Sequence, residues 1–204
     1  GLVAVAAWEN YDTVDDVVVK EAAAVAALYR DVSTLKDPDR SLLEQDLKDY
    51  LSYVINVAWP AHRKGEAPNG GTVILSAFLG KLTAYHADSP EQRVFLAEVF
   101  TAYNKLIEAR RLRMAVVTSG LPEVFWVVIV AGVILSIFIT YFFHVSLLKM
   151  HLVLTAVFSA FLGFMIFLIV AVDNPLRGEV SIPADPYIDV LSRLKDLEAI
   201  QVRK

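Results

Sequence analysis

The chain contains no cysteine. Disulfides, thiolate nucleophiles and thiolate metal sites are therefore excluded, and the redox compartment is left open. Charge is nearly missing from one long stretch: between Leu121 and Val172 only Glu123 and Lys149 carry it. Alternating apolar and polar residues, the mark of a half-buried strand, are also missing, so the fold class expected is all-α. No glycine-rich phosphate loop, nucleophile elbow or metalloprotease motif occurs. Nothing positive points to an enzyme, and no cofactor or metal is expected. The four histidines, His62, His86, His144 and His151, are scattered and show no ligand spacing, which makes each a surface or interface residue. Asp15 with Asp16, and Asp46 with Asp49, read as solvated acidic pairs. The net charge of −4 over 204 residues argues against nucleic acid as a partner.

Apolar residues make up 56% of the chain and charged ones 21%, too apolar for an ordinary soluble domain. Phe125–Phe143 and Leu152–Val172 carry no charge. At roughly 1.5 Å per helical residue, each can cross the roughly 30 Å hydrocarbon layer. Backbone in lipid must satisfy its own hydrogen bonds, so both are expected to be helices. The connection near Leu147 and Leu148 is short, which makes them antiparallel neighbours. Pro122 falls in the first turn of one helix; Trp126 marks one interface and Tyr141 with His144 the other. Arg110, Arg111 and Arg113 precede the first helix and Arg177 follows the second, so these four act as topology anchors that place the polar region and the C-terminus in the cytoplasm. Small residues recur every four positions, Gly132, Ser136 and Thr140 on one helix and Thr155, Ser159 and Gly163 on the other. Folding the hairpin at its middle pairs Thr140 with Thr155, Ser136 with Ser159 and Gly132 with Gly163, the arrangement by which membrane helices approach closely.

Ahead of the hairpin, the apolar start 1–8 reads as the end of a transmembrane helix whose earlier part is absent. Val14, Val17, Val18, Ala22, Val25, Ala26 and Tyr29 continue a helical stripe to about Val32. A second helix is expected from Asp37-Pro38 to Trp59-Pro60, burying Leu42, Leu43, Leu47, Tyr50, Leu51, Val54 and Ile55. His62–Gly71 reads as a loop and Val73–Tyr85 as a third helix. Ser89-Pro90-Glu91-Gln92 is a capping-box pattern. It opens a fourth helix that carries Val94, Phe95, Val99, Tyr103, Leu106 and Ile107 to about Val117. Domain organisation is then 1–8, truncated membrane helix; 9–120, cytoplasmic helical region; 121–173, transmembrane hairpin; 174–204, cytoplasmic tail with a short helix. In the tail, Asp173, Asn174, Pro175 and Gly178 form a turn directly after the last membrane helix.

Several of these segments in order carry a resemblance: Trp8-Glu9-Asn10-Tyr11, Glu21-Ala22-Ala23-Ala24 to Leu28-Tyr29-Arg30, Trp59-Pro60, Arg110-Arg111-Leu112-Arg113, Ser119-Gly120-Leu121-Pro122, and Asp173-Asn174-Pro175-Leu176-Arg177-Gly178. With them the chain resembles a bacterial family of membrane proteins carrying a bestrophin-like domain, and more remotely the bestrophins, which are pentameric anion channels. The resemblance implies two membrane helices before the helical region and two after it. It also implies an inner-membrane location and an oligomeric, anion-conducting channel. Asn174-Pro175-Leu176 is similar to the Asn-Pro-Phe-Gly turn of bestrophins, but Arg177 is inserted before Gly178. The acidic run of their calcium clasp is reduced to Glu179 and Asp185, so no calcium site is expected. The expected partners are membrane lipids together with either copies of the same chain, a pentamer included, or other membrane subunits. The second option would make the chain a non-catalytic accessory or scaffold subunit.

Overall fold

The computed structural model describes residues 2–118, 120, 122–140, 148–178 and 181–202. It is built of helices in the order α1 Leu2–Val32, α2 Asp39–Tyr53, a π-helical turn Val54–Ala58, α3 Trp59–Arg63, α4 Gly70–Ala84, α5 Pro90–Thr118, α6 Glu123–Thr140, α7 Leu148–Asp173 and α8 Asp185–Val202. No strand occurs among the described residues. The chain divides into two compact units, Gly1–Tyr11 with Ser119–Pro175, and Asp12–Thr118 with Leu176–Lys204.

The second unit holds the core. From α1 it takes Val14, Val18, Ala22, Val25, Leu28 and Val32, and from α2 Leu43, Leu47, Tyr50 and Leu51, all buried at helical spacing. Leu75, Phe78 and Leu82 of α4 pack on α2. Val99, Ala102, Tyr103 and Leu106 are the buried stripe of α5, with the Tyr103 ring stacked on Phe78 at 5.6 Å. Val94 and Phe95, expected in that stripe, are 63% and 47% exposed. They begin α5 before it reaches the core. Leu42, likewise expected inside, is 49% exposed.

The helix boundaries follow the side-chain chemistry at the N-terminus of α5. Ser89 Oγ accepts the Gln92 backbone N–H at 3.2 Å, while the Gln92 side chain accepts the Asp88 N–H at 2.8 Å. The Ser89 bond is the one that the capping-box pattern predicts, while Gln92 reaches one residue further back, to Asp88 rather than to Ser89. At Trp59-Pro60 the expectation of a helix end is corrected. A proline inside an α-helix clashes with the preceding turn, and here the chain passes through the wider π-helical turn Val54–Ala58 and resumes α-helix as α3. His62 is therefore helical, and only 64–69 lie between α3 and α4. Gly70-Gly71 is no plain loop feature either, because both glycines open α4 against aromatic rings. A Cβ on Gly70 would stand 2.5 Å from the Tyr53 ring, whose hydroxyl accepts the Gly70 N–H at 2.9 Å.

The C-terminal segment is also more than a tail with a short helix. α8 belongs to the same compact unit as α2 to α5, contributes Tyr187 and Leu194 to the core, and packs on α2 and the π-helical turn.

In the first unit α6 and α7 are long and apolar enough to cross a membrane, and they pack on each other. They bury 0% and 6% of their apolar windows within the chain. Tyr141, His144 and Leu147 lie outside the described residues.

Candidate functional site

A charged cluster sits at the centre of the core unit. Glu21 of α1 and Arg113 of α5 are 0% and 2% exposed. Arg113 Nε donates to the Glu21 carboxylate at 2.6 Å and Nη2 at 3.2 Å, a two-pronged ion pair. The Tyr50 hydroxyl of α2 donates to the same carboxylate. His62 of α3, fully buried, completes the set: its Nε2 meets Arg113 Nη1, and its Nδ1 lies 2.9 Å from the Glu66 carbonyl. A guanidinium only donates and a carbonyl only accepts. Hence His62 must be neutral, with its proton on Nδ1 and its lone pair on Nε2 facing Arg113. Tyr187 of α8 is buried with no hydrogen-bond partner for its hydroxyl among the described residues. Its ring packs 5.3 Å from that of Trp59. Trp59 Nε1 in turn donates to the Ile182 carbonyl at 3.0 Å.

The electrostatics follow from burial. Both tyrosines are pushed well above the usual phenol range, first by burial and next by the Glu21 charge. His62 is pushed down, first by burial and also by the Arg113 charge, although the bond to the Glu66 carbonyl opposes this. For Arg113 burial disfavours the charge, but Glu21 outweighs it and the guanidinium stays protonated. The cluster thus ties α1, α2, α3 and α5 through one ion pair, with no spare nucleophile and no carboxylate poised as a base. It joins four helices of the core unit.

This placement corrects two expectations. Arg113, read as a topology anchor before the first apolar helix, is buried and ion-paired with Glu21. His62 is no surface histidine. A signal for the ion pair, though not for His62, existed in the sequence. Glu21 lies on the α1 stripe, three residues after Val18 and four before Val25, and Arg113 lies seven residues after Leu106 on the α5 stripe. An ionisable residue on an apolar stripe needs a buried partner.

The other anchors divide. Arg110 donates to Thr72 Oγ1 at 2.8 Å, and Arg111 is exposed. Arg177 donates to the Val117 carbonyl at 3.1 Å and covers Gly65, where a Cβ would meet its Nε at 2.9 Å. The turn after α7 is likewise held in place. Asn174 Nδ2 donates to the Asp173 carboxylate at 2.8 Å. Gly178 adopts φ +76°, which favours glycine, and its N–H donates to the Arg63 carbonyl at 3.1 Å. Asp46, expected to be solvated, accepts Lys81 Nζ at 2.8 Å on both oxygens and bridges α2 to α4.

The small-residue stripe of the hairpin is brought together at one end only. Ser136, Thr140 and Thr155 line a cavity of about 320 Å³ with His151 and Phe158. Thr140 donates to its own helix, at the Ile137 carbonyl, rather than across. Gly132 and Gly163 face open space, with nothing within 4 Å of a Cβ built on either, and Ser159 is exposed. Among the described residues neither glycine makes a close contact.

Taken together these features define an all-helical protein that joins a unit with a buried charged cluster to a hairpin of two apolar, almost unburied helices. A model of the bestrophin-like domain matches residues 1–187, and the chain belongs to that family. The match spans the hairpin and all four cluster residues, Glu21, Tyr50, His62 and Arg113. Its association is with channels rather than with enzymes. No curated protein and no solved structure matches the chain.

Proposed function

We propose that this protein is one subunit of an oligomeric channel for small anions, multi-pass in the inner (cytoplasmic) membrane, with the core unit and the C-terminus in the cytoplasm. The observation that carries the proposal is the bestrophin-like match over residues 1–187. The surface of the hairpin supports it. Phe164 is 74% exposed, Val124 71%, Val127 68% and Phe167 66%. Apolar surface of that extent needs lipid or a neighbouring subunit to cover it. Within their spans α6 and α7 offer no formal charge beyond the end positions Glu123, Lys149 and Asp173. They are suited to the lipid-facing side and unsuited to lining a charged pore.

On this reading the ions pass between copies of the start of α1, whose residues 2–7 are small or apolar. Such a constriction gates by dewetting. Arg111, exposed at the end of α5, raises the local anion concentration at the cytoplasmic face. The buried Glu21–Arg113 pair keeps α1 fixed to α5, so that displacement of the core unit is transmitted to the pore helix.

Purified protein reconstituted in liposomes tests the proposal through chloride efflux measured together with the particle mass in detergent. Efflux above that of empty liposomes from a homo-oligomer supports the channel. A single copy bound to foreign subunits, with no efflux, would instead establish an accessory subunit.

A further inference from the structure

One open groove in the core unit, of about 480 Å³, runs between α1 and α8. Its α1 side is almost bare: Ala22, Ala23, Ala26 and Ala27 leave room above the helix, and Val190 of α8 closes the other side. Two cations line it, Arg193 and Arg30, the latter also bonded to the neighbouring Asp31 at 3.0 Å, and Asp189 supplies its carboxylate. Elsewhere in the same unit the first two turns of α5 present the complementary shape. Glu91, Val94, Phe95 and Glu98 are all exposed, and their spacing of three, four and seven residues puts them on one helix face. An apolar ridge, with Val94 63% and Phe95 47% exposed, is flanked by a carboxylate at each end. At roughly 1.5 Å per residue the ridge is about 10 Å long, and the groove wall from Val19 to Arg30 is about 16 Å, so the ridge fits within it.

Resting on the oligomer proposed above, we infer that the α1–α8 groove of one copy receives the α5 ridge of the next copy. Val94 and Phe95 lie on the alanine floor, and Glu91 and Glu98 meet Arg30 and Arg193. The two surfaces differ, so the contact is head-to-tail. A contact of that kind generates a closed ring when its rotation allows, whereas a self-complementary patch stops at a dimer. A head-to-tail contact between cytoplasmic units also leaves the hairpin free to face lipid. The carboxylates at both ends fix the register of the ridge in the groove, which an apolar patch alone would not do.

Charge reversal in the full-length protein tests this. Arg193→Glu and Glu98→Arg are each expected to weaken self-association about tenfold, by placing like charges in the contact, and the double variant is expected to regain the wild-type oligomer. Both side chains are exposed, so thermal unfolding of each variant should match the wild type and exclude a folding defect. Cysteine pairing provides a second readout, since these 204 residues contain none. Copies carrying Ala26→Cys, co-expressed with copies carrying Phe95→Cys, are expected to form disulfide-linked dimers, whereas neither variant does so alone. A wild-type oligomer unchanged by both reversals, or cross-linking of Phe95→Cys with itself, would overturn this contact and leave the oligomer standing. A wild-type protein that never self-associates would overturn both.

Discussion

Replacing Glu21 by glutamine keeps the size of the side chain and removes its charge. Arg113 then remains 2% exposed with no anion beside it among the described residues. Its remaining neighbours are the neutral His62 and the Tyr50 hydroxyl, neither of which offsets a positive charge. Breaking one side of a buried ion pair costs about 3–5 kcal/mol. Glu21→Leu additionally strips the Tyr50 hydroxyl of its acceptor, which is worth about 1–3 kcal/mol more, although the two losses share partners and do not simply add. Since whole domains are stable by about 5–15 kcal/mol, either variant removes a large share. Removing both charges is different. Glu21→Leu with Arg113→Met keeps the volume apolar, and buried pairs so replaced are often tolerated. The double variant is expected to lie within about 2 kcal/mol of wild type, despite its orphaned tyrosine. The assay is thermal unfolding in mild detergent, followed by helical circular dichroism. At roughly 2–4 °C per kcal/mol for a chain of this length, Glu21→Gln should melt about 10 °C lower and the double variant should recover most of that. A Glu21→Gln melting point within about 2 °C of wild type would show that the pair does not hold the helices together.

The neutral state of His62 makes stability depend on pH. Its pKa is lowered on folding, so the unfolded chain binds the proton more readily. The stabilisation is complete above the unfolded histidine value of about 6.5 and is lost as pH falls below it, by at most about 1.4 kcal/mol at pH 5.5; His62→Gln should flatten that part of the profile. Gly70→Ala would press a methyl group into the Tyr53 ring and should cost about 1–3 kcal/mol in the same unfolding assay. Gly163→Ala meets nothing within 4 Å and should leave the melting point unchanged or slightly raised, because alanine is the better helix former. Gly178→Ala must hold φ near +76° and should cost about 1 kcal/mol.

The long periodic segments were legible from the residues alone. α1, α5 and the two apolar helices need only a stripe or an uncharged run, and their ends are marked by caps and prolines such as Ser89 and Pro122. Trp59-Pro60 misleads because proline is read as a helix stop, while the π-helical turn before it lets the helix go on. The cluster was missed for a different reason. Arg113 sits beside Arg110 and Arg111, and three arginines before an apolar helix look like a topology signal. Only its register on the α5 stripe separates it from the other two. His62 carries no such signal, since the Arg113 it meets comes from a distant helix and its other partner is only the Glu66 backbone carbonyl. The glycines of the hairpin show the opposite failure: the spacing of Gly132 and Gly163 is right for close packing, yet spacing alone does not bring helix surfaces together.

A planar bilayer recording of the purified protein under a potassium chloride gradient tests the central claim most directly. The account predicts a conductance whose reversal potential lies near the chloride equilibrium value and keeps that sign when potassium is replaced by a large organic cation. A reversal near the potassium equilibrium value, or a bilayer that stays silent although the protein is inserted and oligomeric, would contradict it.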